Sequence, residues 1–203
     1  MSRDPQEYFK TEVANKVSQF IERAPKIAGR YAVGHFQDNI RKRGGVPVNG
    51  NIDKFTKRTY TTRDNQGRNL LLKSGNMVDS IRITGQGRRW VAVGISQRDI
   101  AKYAAIHNMG GTIPVTQKMK KFFWAKFFEA GGPSAGKTNS GKDSKSKKAT
   151  QLKGDAAFWK AMALKKTGST LKIPKREFIR ITPDLETGII REFRSTWLQM
   201  FKQ

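Results

Sequence analysis

The sequence contains no cysteine, and only two of its 203 residues are histidine. Disulfide bonds and thiolate chemistry are therefore excluded, and a zinc site would need Asp or Glu ligands, for which the chain has no recognisable spacing. No apolar stretch approaches the roughly 18 residues of a membrane span. The charged start of the chain lacks the apolar core of a signal peptide. We expect a cytosolic protein without metal, cofactor or membrane partner.

Acidic residues are also scarce. Sixteen Asp and Glu accompany 40 Lys and Arg, which gives a formal net charge of +24. Such a charge attracts polyanions, and nucleic acid, an acidic protein or an anionic membrane surface could supply the counter-charge. The excess lies mainly between residues 112 and 176. The chain lacks zinc-finger spacing, an RNA-recognition motif and a compact helix-turn-helix, so we expect contact with phosphates without sequence reading.

The patterns of familiar catalytic sites are incomplete or lack their context. The serine spacing G-x-S-x-G occurs at Gly132–Gly136, but a predicted helix and not a strand precedes it, so it is no nucleophile elbow. The segment from Gly136 to Lys142 has the glycine and lysine spacing of a phosphate-binding loop, but Asp143 follows where Ser or Thr is required. His107 shares an apolar helical stripe with Tyr103, which favours a packed histidine over a catalytic one. We therefore predict that the protein is not an enzyme.

The clearest signals for local structure lie between residues 70 and 111. Alternating and β-branched residues predict strands over Ser80–Thr84 and Trp90–Ile95, joined as a hairpin. The segment Ser96–Asp99 has the pattern of a capping box, so a helix is expected to follow it. Gly110-Gly111 supplies the left-handed end of that helix. This stretch is the predicted rigid core of the subunit.

Apolar residues at helical spacing predict amphipathic helix from Asp4, as the N-cap, to about Arg43, with one continuous apolar seam along it. Pro25 interrupts this seam, so we expect two helices or one kinked helix that breaks near Arg23–Lys26. Residues 46–69 are polar and rich in turn formers, which indicates an extended loop on the surface.

The part of the chain that follows Gly111 is basic and aromatic. A helix over Gln117–Ala130, capped by Thr116, carries rings on more than one face, so it lies in a core or contacts a partner. Gly131–Ala149 has no aliphatic side chain beyond alanine, which predicts a segment that is mobile by itself. A short amphipathic helix over Asp155–Lys166 and a strand over Thr170–Ile173 come next.

Four short patterns follow one another in a fixed order. Leu71–Ile81 reads LLKSGNMVDSI, Val91–Gly94 reads VAVG, Tyr103–Gly111 reads YAAIHNMGG and Ile173–Ile179 reads IPKREFI. In this order they resemble the phage virion morphogenesis family, which comprises tail-completion or neck proteins of Mu-like and related long-tailed phages. The lysine-rich insertion at 131–153 lies outside the common core of that family.

The resemblance implies an α+β subunit, a small antiparallel β-sheet flanked by N-terminal and C-terminal helices, with a long basic insertion. Pro183-Asp184 is expected to start the last helix, Leu185–Phe201, which is expected to pack on this sheet. The predicted divisions are the N-terminal helical region 1–45, the polar loop 46–69, the β-hairpin and helix core 70–111, the basic aromatic-rich insertion arm 112–172 and the C-terminal strand, turn and helix 173–203.

The resemblance also implies a structural function at the head–tail junction of a virion. Subunits assembled in the host cytoplasm would form a ring around the DNA passage and join the head connector to the tail. Rings of this kind are often hexameric or dodecameric, and a hexamer is the expected state. The expected partners are further copies of the chain, head-connector and tail-tube or terminator proteins, and genomic DNA. The alternatives are a nonspecific basic nucleic-acid-binding protein and a tail terminator ring protein.

Three groups of residues are candidates for these roles. The lysines expected to face DNA or another polyanion are Lys137, Lys142, Lys145, Lys147, Lys148 and Lys153. The aromatic residues expected at a subunit interface are Phe122, Phe123, Trp124, Phe127, Phe128, Phe158 and Trp159. The structural residues of the family patterns are Gly75, His107, Gly110, Gly111, Pro174, Arg176 and Phe178. Among these, the glycines would serve turns and Arg176 would anchor the late loop to a carboxylate or a carbonyl.

Overall fold

The computed structural model describes residues 5–58 and 60–202. Over these residues the chain forms helices and three two-stranded antiparallel sheets, which confirms the predicted α+β fold. The chain divides into two compact units. The first unit contains the chain up to Phe55, Asn69–Met109 and the chain from Arg176 onward, and the second contains Thr56–Arg68 and Gly110–Lys175. The predicted insertion arm at 112–172 falls within the second unit.

The elements follow one another in mixed order along the chain. They are α1 (Pro5–Asp38), a π-helix (Asn39–Arg43), β1 (Gly45–Val48), β2 (Asn51–Lys54), a 3-10 turn (Arg63–Asn65), α2 (Asn76–Asp79), β3 (Ile81–Gln86), β4 (Val91–Ile95), α3 (Arg98–Met109), β5 (Gly111–Pro114), α4 (Gln117–Glu129), a second 3-10 turn (Gly132–Ser134), α5 (Lys147–Ala163), β6 (Thr170–Ile173) and α6 (Pro183–Met200).

Helix α1 continues through Pro25 without a break, so the two-helix alternative is wrong. Pro25 is buried, and α1 contacts both the β3–β4 hairpin and α6. We attribute the continuity of the helix to this packing, which offsets the hydrogen bond that proline removes. Gly44, at a φ of 59°, ends the π-helix that follows. Asp4, the predicted N-cap, lies outside the described residues.

Residues 45–54 form a hairpin, so the prediction of a polar loop is wrong for this part of 46–69. The turn between β1 and β2 is Asn49-Gly50, with φ values of 50° and 79°. Two positive φ values give a turn whose twist matches that of paired strands, and Asn-Gly is its preferred sequence. Val46 and Phe55 are buried in the first unit. The Asn-Gly pair was therefore the available signal for this hairpin.

The hairpin of β3 and β4 and the helix α3 confirm the central prediction, with two changes in detail. The strand β3 continues to Gln86, with a register shift between Ile83 and Gly85. The predicted capping role of Ser96 is wrong, because α3 begins at Arg98. The Ser96 hydroxyl instead donates to the backbone oxygen of Ser80 at 3.2 Å and ties the end of the hairpin to its start.

Helix α6 lies mainly along α1 and touches β1, which corrects the expectation that it packs on a sheet. The rings of Phe193 and Trp197 meet Phe20 of α1 edge to face, with centroid distances of 5.6 and 5.4 Å. Two-stranded sheets offer too narrow a surface to cover an eighteen-residue helix. The helix begins where predicted, and the Thr182 hydroxyl accepts a hydrogen bond from the N–H of Leu185.

The second unit is built on α4, α5 and the β5–β6 pair. In that pair Gly111 is opposite Ile173 and Pro114 is opposite Thr170. The strand predicted over Thr170–Ile173 is confirmed, and so is the capping role of Thr116, whose hydroxyl accepts a 3.2 Å hydrogen bond from the N–H of Met119.

Helix α5 begins at Lys147 and not at Asp155 as predicted. The hydroxyl of Ser146 accepts a 3.1 Å hydrogen bond from the N–H of Ala149 and caps it. The preceding segment, predicted to be mobile by itself, contains the second 3-10 turn and a bridge between Lys137 and Asp143. Backbone hydrogen bonds need no apolar side chains, so composition alone does not reveal this local structure. The mobility of the segment by itself stays a prediction.

Candidate functional site

The end of α3 and the segment after residue 175 are joined by backbone and side-chain hydrogen bonds. The N–H of Arg176 donates to the carbonyl oxygen of His107 at 2.8 Å. The side chain of Asn108 forms a two-way contact, since its oxygen accepts from the N–H of Ile179 at 2.9 Å and its amide donates to the Ile179 carbonyl at 3.3 Å. Two of the four family-like patterns therefore meet in the first unit.

The four patterns also share one hydrophobic core. Val78 and Ile81 come from the first pattern, Ala104 from the third and Phe178 from the fourth, and all are buried in one cluster. Val93, from the second pattern, packs against that cluster. Phe178, Val78 and Ile81 have no exposed surface. The residues that carry the resemblance are thus brought together as a packing unit, although they span more than a hundred positions of the chain.

Two of the three pattern glycines lie at turns, whereas Gly111, also predicted to serve a turn, lies in strand β5. Gly75 has a φ of 87° directly before α2, and Gly110 has a φ of 75° directly after α3. A Cβ at Gly110 would lie 3.1 Å from the backbone nitrogen of Lys175. Gly111 starts β5, and Pro174 directly follows β6. These residues have structural roles at the ends of elements.

Asn39 is a buried polar residue that the sequence did not single out. Its side-chain amide donates to the carbonyl oxygen of Phe178 at 3.0 Å, and its side-chain oxygen accepts from Arg43 at 3.0 Å. Arg43 also donates to the carbonyl oxygen of His35 at 3.2 Å. The π-helix therefore holds the late segment in the core. The only sequence signal was an Asn beside Ile40 on the predicted apolar seam.

Burial controls the ionisation of His107. Desolvation of the half-buried ring, together with the positive charge of Arg176, lowers its pKa from 6.5 to about 4. A guanidinium nitrogen of Arg176 lies 3.4 Å from Nδ1 of the ring. The neutral ring can accept from this donor, and its edge-to-face contact with Tyr103 spans 4.4 Å between centroids. This environment suits a structural histidine.

All six of the candidate lysines lie in the second unit and are exposed. Lys153 forms a 3.0 Å ion pair with Asp143. Lys145, Lys147 and Lys148 surround the N-terminal end of α5, which carries a partial positive charge of its own. This placement is electrostatically unfavourable within the chain, so the lysines do not stabilise the helix.

The second unit carries most of the net positive charge of the chain. Counted over Thr56–Arg68 and Gly110–Lys175, 19 Lys and Arg accompany four acids, for a net +15. The four acids are engaged within the unit. Asp64 and Glu129 both pair with Lys126, Asp143 pairs with Lys153, and buried Asp155 accepts hydrogen bonds from the Tyr60 hydroxyl, the Arg63 N–H and the Gln151 amide. The positive field of this unit is therefore little compensated.

The predicted interface aromatics divide into a buried and an exposed set. Phe123 and Phe127 are 7% and 6% exposed, and Phe123 stacks on the ring of Trp159 at 5.9 Å. Phe122 and Phe128 are 51% and 63% exposed. Trp124 and Phe158 are half-buried. The buried rings form the contact of α4 with α5 within the unit, which leaves Phe122 and Phe128 as the rings available to a partner.

An open cavity of about 350 Å³ lies between α1, the β1–β2 turn and α6. Its lining includes His35, Arg43, Asp184 and Arg191. Nε2 of His35 and Oδ2 of Asp184 are buried without a hydrogen-bond partner among the described residues. Burial, with the charge of Arg43 as the second cause, lowers the pKa of His35. The cavity combines two cations, one acid and a neutral imidazole, and this mixture defines no particular ligand.

Across residues 5–58 and 60–202, no three His, Cys, Asp or Glu side chains come together as a group that could hold a metal ion. None of the helices in this part of the chain combines the length and the apolar character of a membrane span. Comparisons of the chain with protein-family models, with curated proteins and with solved structures find no match.

Proposed function

We propose that this chain is a structural protein of a phage head–tail junction, a neck or tail-completion subunit that joins the head connector to the tail as part of an oligomeric ring. The observation that carries the proposal is the common core of the four family-like patterns. Val78, Ile81, Val93, Ala104 and Phe178 pack together in the first unit. Residues that resemble a family in sequence order and also meet in space support a shared fold more strongly than scattered matches would.

The second unit supplies features that a ring subunit would use. Its net +15 favours a position beside a polyanion, and the DNA that passes through a head–tail junction is one. The exposed rings of Phe122 and Phe128 offer apolar area for a neighbouring subunit. In this proposal the chain is located in the virion, and it acts by assembly without a chemical reaction.

The direct test deletes the gene in the phage or prophage that carries it, with the wild-type gene supplied in trans as the control. The proposal expects DNA-filled heads and separate tails by electron microscopy, with joined particles restored by the supplied gene. Mass spectrometry of purified wild-type particles should detect the chain. Its absence from those particles, or normal joining of heads and tails in the deletion, would refute the proposal.

The charge of the second unit specifically favours a second candidate, a nonspecific nucleic-acid-binding protein. The two functions differ in assembly state and in salt dependence. A ring subunit should form a defined oligomer by native mass spectrometry or join a tail or connector protein. The second candidate instead binds duplex DNA tightly as a monomer, with an affinity that falls steeply as salt rises.

A further inference from the structure

A second concave surface of the first unit is apolar and bordered by arginines. It lies between α1, the tip of the β3–β4 hairpin and α6, and has a volume of about 280 Å³. Phe20 and Phe193, which meet edge to face at 5.6 Å, form one wall. The small side chains of Ala24 and Ala28 leave room on the side of α1. We call this surface the Trp90 groove, after the largest residue that lines it.

Trp90 is held beside the groove with much of its ring uncovered. The side chain is 58% exposed, although it is the largest apolar side chain of the hairpin. The indole lies against Gly85 and Gly87, and a Cβ at Gly87 would lie 2.9 Å from Cε2 of Trp90. The N–H of Gly87 donates to the carbonyl oxygen of Trp90 at 2.9 Å and closes the turn. The hairpin thus presents a large aromatic surface at a fixed position.

The rim of the groove is positively charged. Arg88 and Arg89 are adjacent in sequence, both are exposed and both line the groove, whereas none of the lining residues is acidic. Within the described part of the chain, neither guanidinium has an ion-pair partner. Pro25 also lines the groove. Since proline has no N–H, the carbonyl oxygen of Ile21 lacks the donor that an α-helix normally supplies, and both residues line the groove.

We propose that the Trp90 groove docks an acidic segment of a partner protein, with one aromatic or aliphatic side chain inserted beside Trp90 and flanking carboxylates on Arg88 and Arg89. The apolar walls match the inserted side chain, and the paired arginines match the carboxylates. Arginine and tryptophan are also the residue types that contribute most to binding at interfaces.

A second copy of this chain does not fit the groove. The peptide that the groove would bind has carboxylates on both sides of an apolar residue, and no two acidic residues of this chain are adjacent in the sequence. The two most closely spaced acids are Asp184 and Glu186, on either side of Leu185, which is buried in the core and cannot be inserted elsewhere. The occupant is therefore an acidic segment of a different polypeptide.

The test measures binding of a fluorescein-labelled peptide, Gly-Ser-Glu-Glu-Phe-Glu-Glu-Ser-Gly, to the full chain by fluorescence anisotropy. The double variant Arg88→Gln/Arg89→Gln should bind at least about tenfold more weakly. The control Arg30→Gln/Arg194→Gln removes the same charge from exposed arginines outside the groove, and it should retain wild-type affinity within about twofold. A peptide with Ser in place of Phe should also bind at least about tenfold more weakly.

A variant that fills the groove keeps the test independent of charge. Ala24→Leu adds volume on the α1 side and should weaken peptide binding, while circular dichroism checks that the chain stays folded. An equal loss of peptide affinity in the two double arginine variants would mean that the peptide is attracted to the overall positive charge, and it would overturn the proposal. So would full affinity of the Ser peptide, or no binding of the Phe peptide. Self-association that disappears in the Arg88/Arg89 variant would assign the groove to a second copy and overturn the proposal as well.

Discussion

The backbone N–H of Arg176 donates a 2.8 Å hydrogen bond to the carbonyl oxygen of His107, which lies 69 positions earlier in the chain. His107 is in the last turn of α3, where carbonyl groups have no partner within the helix. The segment after residue 175 therefore supplies a hydrogen-bond donor to a free carbonyl group at the end of α3. The hydrogen bonds between Asn108 and Ile179 join the same two parts of the chain. Sequence patterns far apart in the chain act here as one structural device.

The environment of His107 predicts a loss of stability in mild acid. Its pKa is about 4 in the folded protein, whereas the unfolded chain takes up the proton near 6.5. Between these two values the unfolded state binds more protons, so the free energy of unfolding should fall as the pH is lowered from 6.5 towards 4. The lowered pKa of His35 acts with the same sign. Denaturant titrations at several pH values measure this slope.

The variant His107→Gln should flatten part of that slope, and proton NMR can follow each imidazole directly. The chain has only two histidines, so His107→Gln and His35→Gln assign both signals. In wild type, the His107 signal should titrate well below the ordinary range. Titration of both rings near 6.5 would contradict the half-buried, neutral His107 described above.

Asn39 should be essential for stability although it has no predicted function. Replacement by Ala removes the donor to the buried Phe178 carbonyl and the acceptor for Arg43. The free energy of unfolding should fall by about 1–3 kcal/mol, because buried polar groups lose their partners. The matched control is Asn15→Ala on the exposed face of α1, which should leave stability unchanged or raise it by a few tenths of a kcal/mol. Equal effects of the two substitutions in chemical denaturation would refute this role for Asn39.

Two glycines of α1 should respond in opposite directions to the same substitution. A Cβ at Gly34 has nothing within 4 Å, so Gly34→Ala should stabilise the protein by about 0.5–1 kcal/mol through helix propensity. A Cβ at Gly29 would lie 2.7 Å from atoms of both Ile83 and Val91. Gly29→Ala should therefore cost about 1–2 kcal/mol net, because the hairpin must move away from the helix. Thermal unfolding of the two variants compares helix propensity alone with the packing of α1 on β3–β4. A stabilising effect of Gly29→Ala would contradict this close packing.

Local sequence signals predicted the elements whose cause is local. Thr116 caps α4 because its hydroxyl meets an N–H three residues on, and the strand Thr170–Ile173 follows from its own composition. The β1–β2 hairpin was missed although Asn49-Gly50 indicated it, because most of the residues from 51 to 69 are polar and the whole stretch was therefore taken as a loop. The bond from Asn39 to Phe178 spans 139 positions and has no local signal at all. Long-range polar contacts of this kind define the core junction, and periodicity cannot reveal them.

Asp155 should be the residue that fixes the segment Thr56–Arg68 within the second unit. It is buried and accepts hydrogen bonds from the Tyr60 hydroxyl at 3.2 Å and the Arg63 N–H at 2.9 Å. Asp155→Ala should lower the free energy of unfolding by about 2 kcal/mol or more and speed amide exchange at Arg63. The control Asp143→Ala breaks only an exposed ion pair and should cost less than about 0.5 kcal/mol. Unchanged exchange at Arg63 in Asp155→Ala would rule out this role.

The lysines at the start of α5 should dominate contact with a polyanion. The test variant replaces four exposed lysines of the second unit by Gln, namely Lys142, Lys145, Lys147 and Lys148. The matched control replaces four exposed lysines of the first unit, namely Lys10, Lys26, Lys73 and Lys102. Both variants lower the net charge equally, so any difference between them reflects position. Fluorescence anisotropy with a short duplex DNA measures the affinity across a series of salt concentrations.

If each of the four lysines contacts one phosphate, their removal should reduce the slope of log K against log salt by about 3 to 4. The first-unit control should leave the slope nearly unchanged, because counterion release depends on direct neutralisation of phosphates and not on net charge alone. The helix dipole of α5 adds to the field of the same lysines, which strengthens the expected contrast between the variants. Equal slopes for the two variants would mean that DNA contacts the chain through its overall charge, and the lysines around Ser146 would then have no special role.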